Sequence, residues 1–172
     1  LIKLRPEDSA AYIMIGNVWS MKGDYEKAEQ NYRTALEKTP GDYCAATNLA
    51  KTLVEMKKYD EAFKYYRICE KINPGDPVLA GNIGFAYMDK GDYKEAVRYF
   101  KKSISIDPEN EPSTYNLACC YSLMNDKKTA FKYLHKAIEL EPDNTIEITE
   151  DPYFDNIRND PEFITLIKQA NP

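Results

Sequence analysis

The sequence predicts an all-α chain built as a stack of helix pairs, a helical solenoid, on three observations. Prolines recur at a 34-residue step, at Pro6, Pro40, Pro74, Pro108 and Pro142. Alanines keep the same step at Ala28, Ala62, Ala96 and Ala130. A large side chain follows each alanine four residues on, at Tyr32, Tyr66, Phe100 and Leu134. A period of this size means stacked copies of one supersecondary unit. Such stacks expose an extended concave surface that typically engages another protein.

The proline register divides the chain into four units at 9–42, 43–76, 77–110 and 111–144, preceded by 1–6 and followed by 145–172. Each unit holds two helical patterns. The first carries Ile15-Gly16, Leu49-Ala50, Ile83-Gly84 and Leu117-Ala118, then Trp19, Leu53, Tyr87 and Tyr121. That spacing makes one amphipathic face. Gly16 and Gly84 sit mid-helix, where glycine costs about 1 kcal/mol relative to alanine. Close approach of a partner helix is the expected return. A turn follows, at Lys22-Gly23-Asp24, Lys57-Lys58, Lys90-Gly91-Asp92 and Asn125-Asp126. Gly or Asn supplies the left-handed residue, and the aspartates cap the second helix.

The second helix carries the alanine ladder, its large neighbour, and a small residue three further on: Ala35, Cys69, Ser103 and Ala137. Small-large-small spacing seats a knob between two helices. The ladder proline then ends the helix, since it donates no backbone bond and restricts its predecessor. Pro77 and Pro112 fall in the first turn of a first helix, where the missing N–H is not needed.

These positions, W/Y/L, L-G/A, Y, A, F/Y, A and P at fixed offsets over 9–142, resemble the tetratricopeptide repeat (TPR) family. The resemblance implies antiparallel helix pairs stacked into a right-handed superhelix, with the first helices lining an inner, concave face. The chain departs from the pattern at Ala46, Ala80 and Thr114, which replace a large residue like Tyr12, and at Lys127, which replaces tyrosine. After Pro142 the period breaks. Asp151-Pro152 and Asp160-Pro161 each read as a cap followed by a first-turn proline, predicting a short helix near 152–158 and a longer one near 161–170. Tyr153, Phe154, Ile157, Phe163, Leu166 and Ile167 face the last repeat as a cap. The run DPYFDNIRNDPEFITLI resembles the closing segment of bacterial TPR proteins. Residues 1–6 read as the tail of an upstream second helix, with Tyr12, Ile15 and Trp19 near an open edge.

Composition narrows the function. Net charge is −5, the opposite of the basic footprint that nucleic-acid binding needs. There is no apolar run of about 18 residues, so no membrane insertion is expected. The four cysteines, Cys44, Cys69, Cys119 and Cys120, form no C-x-x-C, and His135 is the sole histidine. No metal site, no cofactor and no catalytic residue is expected. Cys69 reads as a small packing residue and His135 as a surface residue. Free thiols fit a reducing compartment, hence a cytoplasmic location.

The expected function is therefore a protein–protein interaction module that binds a partner peptide or helix in the groove. Asn48, Asn82 and Asn116 repeat at the ladder step, and Asn17 lies three positions past the matching place in the first unit. An amide pairs with a peptide C=O and N–H together, so a row of them can hold an extended chain. Equally, such a row can bridge adjacent first helices. Offsets also bring Ile13, Met21, Thr47, Lys51, Phe85, Met88, Tyr115 and Cys119 to this face. Phe85, Met88 and Tyr115 suit an apolar ligand side chain, and Lys51 suits a carboxylate. The family's carboxylate clamp pairs two such asparagines with flanking basic residues. Taking Asn17 and Asn48 as that pair, Ile13, Val78 and Asn82 stand at the basic positions, so the clamp is absent in this register. The alternatives are a scaffold self-associating through the N-terminal edge and groove, and the regulatory TPR region of a longer protein.

Overall fold

The structure is a computed structural model and describes residues 8–142 and 145–170; the expected tail at 1–6 lies outside them. Eight helices follow one another as antiparallel pairs: α1 (Ser9–Met21) with α2 (Tyr25–Lys38), α3 (Tyr43–Glu55) with α4 (Tyr59–Ile72), α5 (Pro77–Asp89) with α6 (Tyr93–Ile106), and α7 (Glu111–Leu123) with α8 (Lys127–Leu140). Then come α9 (Thr145–Glu150), a 3-10 turn at Pro152–Phe154, and α10 (Pro161–Ala170). No strand occurs among the described residues. The helices fall into two compact units, Leu1–Leu79 and Ala80–Pro172.

Each pair is built by the chemistry of its turn. Gly23, Lys57, Gly91 and Asn125 all take positive φ, between 59° and 88°. At Lys57 a bulky residue carries this conformation, although glycine or asparagine holds it in the other three turns. The next residue caps the second helix. Asp24 accepts from Lys27 N at 3.2 Å, Asp92 from Glu95 N at 3.3 Å and Asp126 from Thr129 N at 3.2 Å. Lys58 has no side-chain bond of this kind, so α4 starts without that stabilisation of about 1 kcal/mol.

The small-large-small ladder forms the core in both units. Ala28, Tyr32 and Ala35, and then Ala62, Tyr66 and Cys69, are buried in the first. Ala96, Phe100 and Ser103, and then Ala130, Leu134 and Ala137, are buried in the second. The mid-helix glycines face these knobs. A Cβ on Gly16 would lie 2.6 Å from the Tyr32 ring, and one on Gly84 would lie 2.7 Å from the Phe100 ring. Glycine is needed there to admit the aromatic side chain. Burial raises the thiols of Cys69 and Cys119 and pushes Cys120 up to about 12, as expected of packing cysteines. Cys44 is exposed.

The closing segment differs from expectation in one respect. The helix expected near 152–158 is a 3-10 turn of three residues followed by turns, while α9 precedes it. Arg158 explains the shape: its guanidinium donates to the carbonyls of Thr149 and Asp151, satisfying backbone where α9 ends. Phe154, Ile157, Phe163 and Leu166 are buried with Leu117, Phe131 and Leu134. Ser122 Oγ donates to the Tyr153 carbonyl at 2.7 Å, and Asn156 Nδ2 donates to the Ser122 carbonyl at 2.6 Å. The segment is thereby pinned to α7 by polar bonds as well as by its apolar face.

Candidate functional site

In the first unit a cleft of about 230 Å³ opens beside α1, α2 and α3, with Asn17, Tyr32, Asn48 and Lys51 on its walls. Ser20, Tyr25, Thr52 and Glu55 complete it. At its mouth stands a hydrogen-bonded relay. The buried Tyr32 hydroxyl donates to Asn17 Oδ1 at 2.7 Å, and Asn48 Nδ2 donates to the same oxygen at 3.0 Å. Both lone pairs of that carbonyl oxygen are thus engaged, which fixes the orientation of the Asn17 amide. Its Nδ2 is left on an exposed side chain, with no acceptor among the described residues. Asn48 keeps its own Oδ1 and one N–H.

Two physical causes hold this geometry. Tyr32 is locked between Ala28 and Ala35 and against Gly16, so its hydroxyl has a fixed position. Burial raises its pKa above the ordinary value, so the hydroxyl stays a donor across the physiological range. Lys51 is exposed on α3 and makes no ion pair among the described residues. Glu55 lies one turn further along the same wall. The cleft therefore offers amide donors and acceptors, one cation and one carboxylate. Among the described residues no cluster of His, Cys, Asp or Glu could hold a metal ion.

Of the expected residues, Asn82, Phe85, Met88, Tyr115, Asn116 and Cys119 lie in the second unit. Phe85 is 40% exposed on α5, and Asn82 and Asn116 are half-buried. Unlike Asn17 and Asn48, these two asparagines share no hydrogen bond among the described residues. Met88 is 3% exposed within the core, so it packs the interior and offers no surface contact. Cys119 is likewise fully buried. Tyr115 is occupied by the closing segment: its hydroxyl donates to Asp151, and its ring meets Phe154 edge-on at 5.8 Å. Desolvation, then the Asp151 bond, drives its pKa far up. Tyr115 therefore seats the cap and leaves no ring free for a ligand.

Tyr12, Ile15 and Trp19 are half-covered, with Lys27 Nζ 4.2 Å over the Trp19 ring. The exposed large apolar residues of α1 are Met14, Val18 and Met21, the last 88% exposed. Sequence reasoning missed Tyr32 as a site residue because its ladder position marks it as a core knob; only its hydroxyl reaches the cleft. Ser20, Tyr25 and Thr52 carry no ladder signal of function.

Tetratricopeptide repeat models match residues 21–80, 80–110 and 99–132. Among solved structures, MamA 41-end from Desulfovibrio magneticus RS-1 is similar at 22% identity and TM-score 0.74, over 83% of this chain and 80% of that one. A pilF structure from Pseudomonas aeruginosa is similar at 22% identity and TM-score 0.77, over 94% of this chain and 72% of that one. A MamA crystal structure is similar at 18% identity and TM-score 0.73, over 91% and 92% of the two chains. No curated protein matches the sequence. No helix of the described residues is long and apolar enough to cross a membrane.

Proposed function

The chain belongs to the tetratricopeptide repeat family, whose matching models together run from residue 21 to 132, and from that premise we propose that it binds an extended peptide of a partner protein through the Asn17–Asn48 cleft. The family mediates protein–protein interaction and is typically non-catalytic. The observation that carries the proposal is the relay from Tyr32 to Asn17 to Asn48 beside Lys51. The bridging role considered for the asparagines and the ligand role are compatible here. The bridge uses one oxygen and one N–H, and leaves an oriented donor on Asn17 and an acceptor on Asn48. Those two groups match the C=O and N–H of a peptide backbone. Lys51 adds a charge for a ligand carboxylate, giving a charge-assisted bond. Asn82, Asn116 and Phe85 provide a further contact surface in the second unit.

The test begins with a peptide selected against the protein by phage display. Asn17→Ala with Asn48→Ala is expected to weaken that peptide's Kd by about tenfold, and Lys51→Ala by several-fold. An unchanged Kd in a variant with unaltered helical circular dichroism removes this cleft as the site. A second reading, self-association, draws support from the exposed Met14, Val18 and Met21 stripe on α1. Light scattering across a concentration series decides it, since a concentration-independent monomer rules it out.

A further inference from the structure

A larger cleft, about 630 Å³, opens in the second unit where α8 faces α10. That volume lies within the range of about 300–1,000 Å³ typical of ligand sites. Its floor is apolar, made by the buried Phe131 and Leu166. One wall is the exposed face of α8, with Lys128, Lys132 and His135. The other is α10, with Glu162 and Thr165.

Three ladder steps carry Glu26, Glu29, Gln30 and Arg33 of α2 onto Lys128, Phe131, Lys132 and His135 of α8. At these positions the repeats are mostly apolar or basic, with Phe63 and Val97 matching Phe131 and Lys64 and Arg98 matching Lys132, and the first unit is the exception. In the first unit Glu29 and Arg33 knit α2 to α4: Lys58 Nζ lies 2.8 Å from Glu29, and Arg33 lies 2.5 Å from Glu61. In the second unit the matching pair is an apolar floor residue and a histidine. The ion pair that joins α8 to the start of α10 is Lys127–Asp160 at 3.3 Å, at the end of the cleft. His135 bonds within its own helix, to Glu139 at 3.3 Å. Lys128 and Lys132 make no ion pair among the described residues. Where the first unit closes its seam with acid–base pairs, this cleft is open and basic, in a chain whose net charge is −5.

We propose that the α8–α10 cleft is a second docking site, which seats an acidic segment of a partner protein with one apolar side chain on Phe131 and Leu166. Charge complementarity selects the partner: Lys128 and Lys132 outnumber the single Glu162 opposite, so carboxylates flanking the anchor are favoured. The recessed floor selects a peptide over an anionic membrane, because a side chain on an extended segment reaches between two helices and a flat bilayer does not. This site is independent of the Asn17–Asn48 cleft.

Fluorescence anisotropy with a labelled heptapeptide of alternating aspartate and leucine tests it, with the lysine–leucine counterpart as control. The acidic probe is expected to bind, more weakly as salt rises. Lys128→Glu with Lys132→Glu should reduce affinity by about tenfold or more. Thr165→Trp, which fills the cleft from an exposed position, should do the same without touching the lysines. Asn17→Ala with Asn48→Ala should leave it unchanged. Absence of binding, equal binding of the two peptides, or undiminished affinity in the lysine and tryptophan variants overturns the proposal. So does sedimentation with phosphatidylglycerol vesicles that requires the two lysines while the peptide fails to bind.

Discussion

Asn48 Nδ2 donates to Asn17 Oδ1 at 3.0 Å, so two successive first helices are joined by one amide rung. The rung is anchored from below by the Tyr32 hydroxyl. Tyr32→Phe keeps the ring and removes that anchor, and is expected to cost about 1 kcal/mol in urea unfolding. In a double-mutant cycle with Asn17→Ala, a coupling of about 0.5 kcal/mol or more is expected. Strict additivity would mean that the tyrosine does not hold the amide.

Glycine in mid-helix gives a second prediction, because two effects of opposite sign compete. Alanine at Gly84 gains about 1 kcal/mol of helix propensity. Its Cβ would lie 2.7 Å from the Phe100 ring, and Phe100 is fully buried with nowhere to go. Overpacking of this kind costs about 1–3 kcal/mol, so Gly84→Ala is expected to lower the melting temperature. A higher melting temperature would show that the close approach is loose.

The closing segment is held chiefly by its apolar face. Phe154 is fully buried against Tyr115 and Phe163. Phe154→Ala should cost about 3–5 kcal/mol. Asp151→Asn, which weakens the polar seat of Tyr115 and the cap on Tyr153 N–H but leaves the apolar packing, should cost less. Equal losses in chemical unfolding would place the polar contact on a par with the packing.

The ion pairs of α2 and α4 predict an acid sensitivity. Burial alone would raise the Glu29 carboxyl, but hydrogen bonds from Lys58 and Arg33 outweigh it and hold the pKa below the ordinary 4.5. A depressed folded pKa means that the unfolded chain takes up protons first as pH falls. The stabilisation is therefore complete above about pH 4.5 and is lost as pH drops through the folded value. Glu29→Gln should flatten the loss of urea stability between about pH 5 and 3. Parallel curves for the variant and the parent protein would assign the sensitivity to other groups.

The helix pairs, their turns and their core were legible in the sequence because each is set by contacts repeated at one step. Pro40 and Pro74 follow the ends of α2 and α4, Asp24 and Asp92 cap where expected, and the alanine ladder is buried throughout. Lys57 shows the limit, since a tight turn imposed the left-handed backbone on a residue whose chemistry does not ask for it. The site was legible only in part. Asn17, Asn48 and Lys51 line one cleft, whereas Met88 and Tyr115, chosen by the same offsets, are claimed by the core and by the closing segment.

By itself, then, the sequence determined an all-helical repeat chain with its knobs, caps and turns, because those depend on neighbours a fixed number of residues away. Tertiary structure alone decided which amide oxygen the Tyr32 hydroxyl meets, which way Asn17 points, and that Phe131 floors a cleft where Glu29 closes a seam. Those outcomes depend on distances between helices remote in sequence, where a shift of an ångström makes or breaks a hydrogen bond. The 34-residue period places such residues on a common face without setting what lies opposite them.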